Sequence, residues 1–249
     1  MPINLFLPFI STIIMFAFTT LVLQRYFSRR SGSLHLLFWG IGLLMFGLGS
    51  FAEAYSPFGW NPIIFMIWYV FGAVLNAGWL GQGSVYLLVR GNARKVAHGI
   101  TVILVLLSLF SLYMMWTTPL DASHFNPTVA LSDQYRDIMP AGALVRRLTP
   151  IFNIYGLITL VGGALYSAYL FWRKRVMGNR VIGNILIAAG ALSIGFASTL
   201  TRFGLGTFLY LGELIAAIMM FSGFIIASRR VSDSLEVETV PAQSSTSPA

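Results

Sequence analysis

Residues 205–228 read LGTFLYLGELIAAIMMFSGFIIAS and contain one charged side chain, Glu213. A helix needs about 20 apolar residues to cross the ~30 Å hydrocarbon core of a bilayer, so this stretch reads as a membrane span. Six more stretches of the same kind lie at 3–26, 33–55, 61–89, 96–117, 149–172 and 180–202. Their apolar residues are continuous and do not alternate with polar ones, which favours helices over barrel strands. In lipid only helices and closed barrels satisfy every backbone polar group. The expected fold is therefore all-α, a polytopic seven-helix transmembrane bundle forming one domain over residues 1–230. Composition agrees: 57% of the 249 residues are hydrophobic and 10% charged, against roughly 25% charged in a soluble domain.

The Lys and Arg distribution predicts orientation. Arg25, Arg29, Arg30, Arg90, Arg94, Lys95, Arg173, Lys174, Arg175, Arg180, Arg229 and Arg230 flank one set of span ends; only Arg136, Arg146, Arg147 and Arg202 flank the other. Twelve against four places the N-terminus outside and the C-terminus in the cytoplasm. The net charge of +8 thus reads as a signal for topology, and no nucleic-acid partner is expected. The first stretch has no basic segment before it and no small-residue cleavage site after it, so it reads as a retained span. Trp60 and Trp116 at outer ends, with Tyr26 and Trp172 at inner ends, fit interfacial belts. Residues 118–148 form the one long external loop, either functional or loosely ordered. Residues 231–249, rich in Ser, Thr and Pro, read as a disordered cytoplasmic tail. A multi-pass protein of a prokaryotic plasma membrane is the expected location. The chain has no cysteine, which excludes disulfides, thiolate metal sites and cysteine nucleophiles.

Asn61-Pro62 and Thr149-Pro150 each place a capping residue before a proline and predict helix starts there. Sliding the chain by 145 residues brings Phe51-Ala52 onto Phe196-Ala197, Phe58-Gly59 onto Phe203-Gly204, and Arg29-Arg30 onto Lys174-Arg175. This pattern predicts a parallel 3+1+3 repeat, with span four as connector. Ala73, Ala77 and Gly81 on span three, and Gly163 and Ser167 on span five, form small-residue ladders. Such ladders let helices approach closely, within one chain or across a homo-oligomer.

An ionisable group inside lipid needs a reason to be there. Glu213 stands about eight residues into span seven, roughly 12 Å deep at 1.5 Å per residue; Tyr210 and Ala217 share its face. Glu53 near the outer end of span two and Arg202 at the outer end of span six complete a candidate external-leaflet cluster. Asn76 in span three, with Asn153 and Tyr155 in span five, are further candidates; Gln82 lies deeper, and amides of this kind usually bridge helices. His35 and His98 open spans two and four at the cytoplasmic edge. They would hold a haem only if those spans were neighbours, so no haem is expected. No His, Asp and Glu cluster has metal-ligand spacing.

The layout resembles that of microbial rhodopsins in its seven spans, external N-terminus and length. The mark of that family is a lysine in span seven that carries retinal, preceded four residues earlier by an acid. Glu213 takes the acidic place and Ala217 the lysine place, and the only lysines are Lys95 and Lys174, near the cytoplasmic surface. Covalent retinal is excluded. Small sugar transporters of three-plus-one-plus-three spans are similar in size, orientation and repeat, but their proline-glutamine signature is absent here. Both resemblances are of layout, which does not carry function. The expected function is non-enzymatic: binding a small or lipophilic ligand, sensing, or serving as a subunit of a membrane complex. The alternative is a small proton-coupled transporter using Glu213. A lipid-modifying enzyme comes third, because no second catalytic group stands out beside Glu213 or Glu53.

Overall fold

The computed structural model describes residues 6–28, 33–175, 177–203 and 207–228. Among them are seven helices long and apolar enough to cross a membrane: α1 (Leu7–Phe27), α2 (Leu34–Phe58), α3 (Pro62–Leu88), α4 (Ala93–Thr117), α5 (Leu144–Arg173), α6 (Gly178–Leu200) and α7 (Thr207–Ser228). The described residues include no strand. This is the build of an integral membrane protein. Arg29, Arg30, Arg229, Arg230 and the 231–249 tail lie outside the described residues.

Each helix packs on the next around a ring: α1 on α2, α2 on α3, α3 on α5, α5 on α6, α6 on α7, and α7 back on α1. Helix α4 stands outside the ring, against α3 and α5. Small residues make the close approaches, as expected where lipid removes the hydrophobic drive between helices. At the α2–α3 contact, a Cβ on Gly49 would lie 2.6 Å from the Cα of Gly72. Between α3 and α5, a Cβ on Gly156 would lie 2.4 Å from the backbone of Ala77, and one on Gly81 would collide with Thr159. Gly163 faces Ser84 and Leu88 of α3. Both small-residue ladders thus lie along the α3–α5 seam inside one chain, Ala77 and Gly81 against Gly156 and Thr159, and Gly163 against Ser84 and Leu88.

Asn61 caps α3 as its sequence predicts, its side chain accepting from the backbone N–H of Ile63 at 2.9 Å and of Ile64 at 3.3 Å. The second proline signal misleads. Helix α5 begins at Leu144, five residues before Thr149, and Pro150 lies inside it. The reason is amphipathic: Val145 and Leu148 are buried while Arg147 is exposed. These first turns are helical without belonging to an uninterrupted apolar run. The loop accordingly ends before Leu144, and it is folded. A short helix, Leu131–Ile138, places Leu131, Ile138 and Met139 in the same core as Phe65, Trp68 and Phe152. Buried Gln134 ties the loop together, donating to the carbonyls of Asn126 (2.9 Å) and Val129 (2.7 Å) and accepting from the N–H of Asn126 (2.7 Å). Trp60 stacks on Phe65 and Phe125 and belongs to this core, whereas Trp116 and Trp172 are exposed as interfacial anchors should be.

Two helices widen locally into π-helical turns, α3 at Trp68–Leu75 and α5 at Leu157–Val161. A π turn disturbs the regular ladder and leaves carbonyls seeking other donors. Asn76 donates to Gly72 O (2.8 Å) within α3, and Asn153 of α5 donates across to Ala73 O (3.1 Å).

Candidate functional site

At the end of the bundle covered by the 118–143 loop, α2 and α7 bring two carboxyl groups together. The side chains of Glu53 and Glu213 are near neighbours. Glu53 is 1% exposed and Glu213 is partly buried. Trp68 donates from Nε1 to Glu53 Oε1 at 2.9 Å, and Ser50 Oγ reaches Glu213 Oε2 at 3.5 Å, the outer limit of a hydrogen bond. Among the described residues Glu53 Oε2 is buried without a hydrogen-bond partner.

Tyr210 lies one turn before Glu213, is buried, and has both carboxyls in its surroundings. Its hydroxyl lies beside the backbone of Leu131, the first residue of the short loop helix. The loop therefore meets α7 over the pair. It meets α3 as well, since the rings of Trp68 and Tyr69 pack on Tyr135 with centroids 6.0 and 5.7 Å apart. The guanidinium groups of Arg136 and Arg146 lie 5.7 and 5.5 Å from the centroid of that ring. Outside the membrane-spanning helices, hydrogen bonds from Ser123 hold the Asp121 carboxyl below its ordinary range, with His124 beside it.

Of the residues expected at a site, Glu213, Tyr210 and Glu53 do come together. Arg202 lies in the turn Thr201–Phe203, which touches the short loop helix; its side chain is outside the described residues. Asn76 and Asn153 serve the π turn of α3. Tyr155 belongs to a second network, in which its hydroxyl donates to Gln82 Oε1. Gln82 Nε2 donates to Thr101 Oγ1 (2.7 Å) and Ala97 O (2.9 Å), and Tyr86 OH joins Thr101 (2.8 Å) to His98 Nδ1 (2.8 Å). This chain pins α4 onto α3 and α5. Gln82 is fully buried, so Gln82→Leu would strand the Tyr155 hydroxyl and leave Thr101 and Ala97 short of a donor. The expected loss of stability is roughly 1–3 kcal/mol, read from denaturant titration in mixed micelles; an unchanged midpoint would deny the network a structural role.

His98 is engaged by Tyr86, and His35 packs edge-on against Trp39. Among the described residues no group of three His, Cys, Asp or Glu gathers to hold a metal ion. Ser50 and Trp68 escaped the sequence reading. Ser50 had a signal, standing three residues before Glu53 and hence on its helix face. Trp68 had one only in hindsight of the hairpin register: Glu53 and Trp68, like Gly49 and Gly72, are equidistant from the Trp60-Asn61 bond. No protein-family description matches the chain, and neither curated proteins nor solved structures include a significant match.

Proposed function

We propose that this is a non-enzymatic membrane protein whose working centre is the Glu53–Glu213 pair, which binds and releases a proton and couples that step to the movement of a small solute. The observation that carries the reading is the buried pair itself: two adjoining carboxyls and an unpaired Glu53 Oε2 under a folded cap. A carboxyl pair held only for packing would be costly in a membrane interior. An acceptor without a donor is a place where a proton can add.

The proposed topology has the N-terminus and the capping loop outside and the C-terminus in the cytoplasm, as the basic flanks indicate. A parallel repeat of α1–α3 and α5–α7 is part of the proposal. Four features support it. The contacts α1–α2 and α2–α3 are matched by α5–α6 and α6–α7, the α3–α5 and α7–α1 contacts close the ring, and α4 lies outside it. Ala52 and Ala197 are both buried, while Phe51 and Phe196, and Phe58 and Phe203, are all exposed.

Proton release from the purified protein in lipid nanodiscs, followed with a pH-indicator dye as pH is raised, tests the site. Wild type is expected to release more than the Glu53→Gln/Glu213→Gln double variant; identical curves would remove the pair as a proton site. A second reading, a ligand-binding or assembly subunit, draws on α4. That helix presents Ile103, Leu106, Phe110 and Tyr113 outward from the ring. Cross-linking through cysteines introduced on this face, in native membranes, is the test.

A further inference from the structure

Charge is divided sharply between the two ends of the folded body. The described acids, Glu53, Asp121, Asp133, Asp137 and Glu213, all lie toward the capped end, and the other three, Asp233, Glu236 and Glu238, follow α7 in sequence. The opposite end carries Arg25, Arg90, Arg94, Lys95, Arg173, Lys174, Arg175 and Arg180, with no acid among the described residues. Where α5 hands over to α6, this cationic end is indented by an open groove of about 650 Å³. Arg173 and Arg175 line it together with Trp172, Val181 and Ile182. The Arg180 guanidinium lies 5.2 Å from the centroid of the neighbouring Phe171 ring. No carboxylate among the described residues pairs with Arg173 or Arg175.

We propose that this groove binds an anionic phospholipid, its phosphate on Arg173 and Arg175 and its acyl chain along Val181 and Ile182. Several facts point to this occupant. Two arginines and the apolar Val181 and Ile182 line the same groove, as a headgroup and its chain require. Arginine is the side chain best shaped to hold phosphate by paired N–H bonds. Exposed Trp172 is the residue type that settles at headgroup level. Basic pockets between membrane helices are a recurrent means of holding anionic headgroups. The groove is at the far end from the carboxyl pair, so the inference stands apart from the proton reading.

Native mass spectrometry of the full chain, with phosphatidylglycerol or phosphatidylcholine added to the micelles, tests it. Phosphatidylglycerol is expected to be retained preferentially. Arg173→Gln/Arg175→Gln should lower its retention by roughly fivefold per arginine without altering phosphatidylcholine, while Arg173→Lys/Arg175→Lys keeps part of the preference. Arg90→Gln, in a different basic cluster, should leave retention unchanged. Equal retention of the two lipids, or full retention by the double glutamine variant, overturns the proposal. So does a preference that emerges only on removal of residues 231–249, because the acidic tail would then be the occupant.

Discussion

Glu213→Gln is expected to shift the pH at which the infrared band of the carboxyl pair changes, and to cut gradient-driven solute entry into liposomes by roughly 10²–10⁴-fold, the usual cost of losing a proton-transfer group. The substitution keeps the shape of the side chain and an oxygen for Ser50, so the fold should be untouched. Detergent elution and thermal midpoint are the controls. The sign of the pH effect follows from the chemistry: the carboxyl band is present when the pair holds its proton and disappears as pH rises and the proton leaves. Glu53→Gln should behave alike, because each carboxyl supplies half of the pair. Trp68→Phe should act more mildly, since it removes the one donor within 2.9 Å of Glu53 but neither carboxyl. If Glu213→Gln leaves both the pH of the band change and the transport as they were, the pair is a structural lock and the proposed function falls.

Gly156→Leu is expected to be the most disruptive single change in the bundle. Even the first carbon of a side chain at this position would lie 2.4 Å from the carbonyl carbon and oxygen of Ala77. Backbone cannot swing aside as a flexible side chain can, so α3 and α5 would have to separate. Overpacking alone costs typically about 1–3 kcal/mol. Separation would also break the Asn153–Ala73 and Tyr155–Gln82 bonds across the same seam, each worth about 0.6 kcal/mol and up to roughly 1.7 in a membrane protein. Loss of the folded species in fluorescence-detected chromatography is the expected result. Gly162→Leu is the control, because a Cβ added there meets nothing within 4 Å. Equal behaviour of the two variants would contradict the packing described.

How much of this could be read from the chain depended on the range of the interaction. Seven spans were legible because hydrophobicity is a local property, and Asn61 as a cap because its partners are two and three residues away. Glu213 and Glu53 stood out because charge in an apolar run is conspicuous wherever it lies. Their meeting was not legible: it joins α2 to α7 across 160 residues and depends on the order of helices around the ring. Which of the two expectations for the 118–148 segment holds, functional or loosely ordered, was hidden for a related reason. Its buried residues, Leu131, Ile138 and Met139, are scattered among polar ones, and their value lies in contacts with α3 and α5. The amphipathic first turns of α5 were hidden in the same way, and Pro150 suggested a boundary that Val145 and Leu148 override.

The seam between α1 and α7 has a consequence for biosynthesis. Helix α2 carries Glu53 into the bilayer well before α7 brings Glu213. Until then the acid has Trp68 of α3 as its hydrogen-bond donor but no second carboxyl beside it. A nascent chain stalled between α3 and α7 is therefore expected to hold Glu53 with half of its native surroundings.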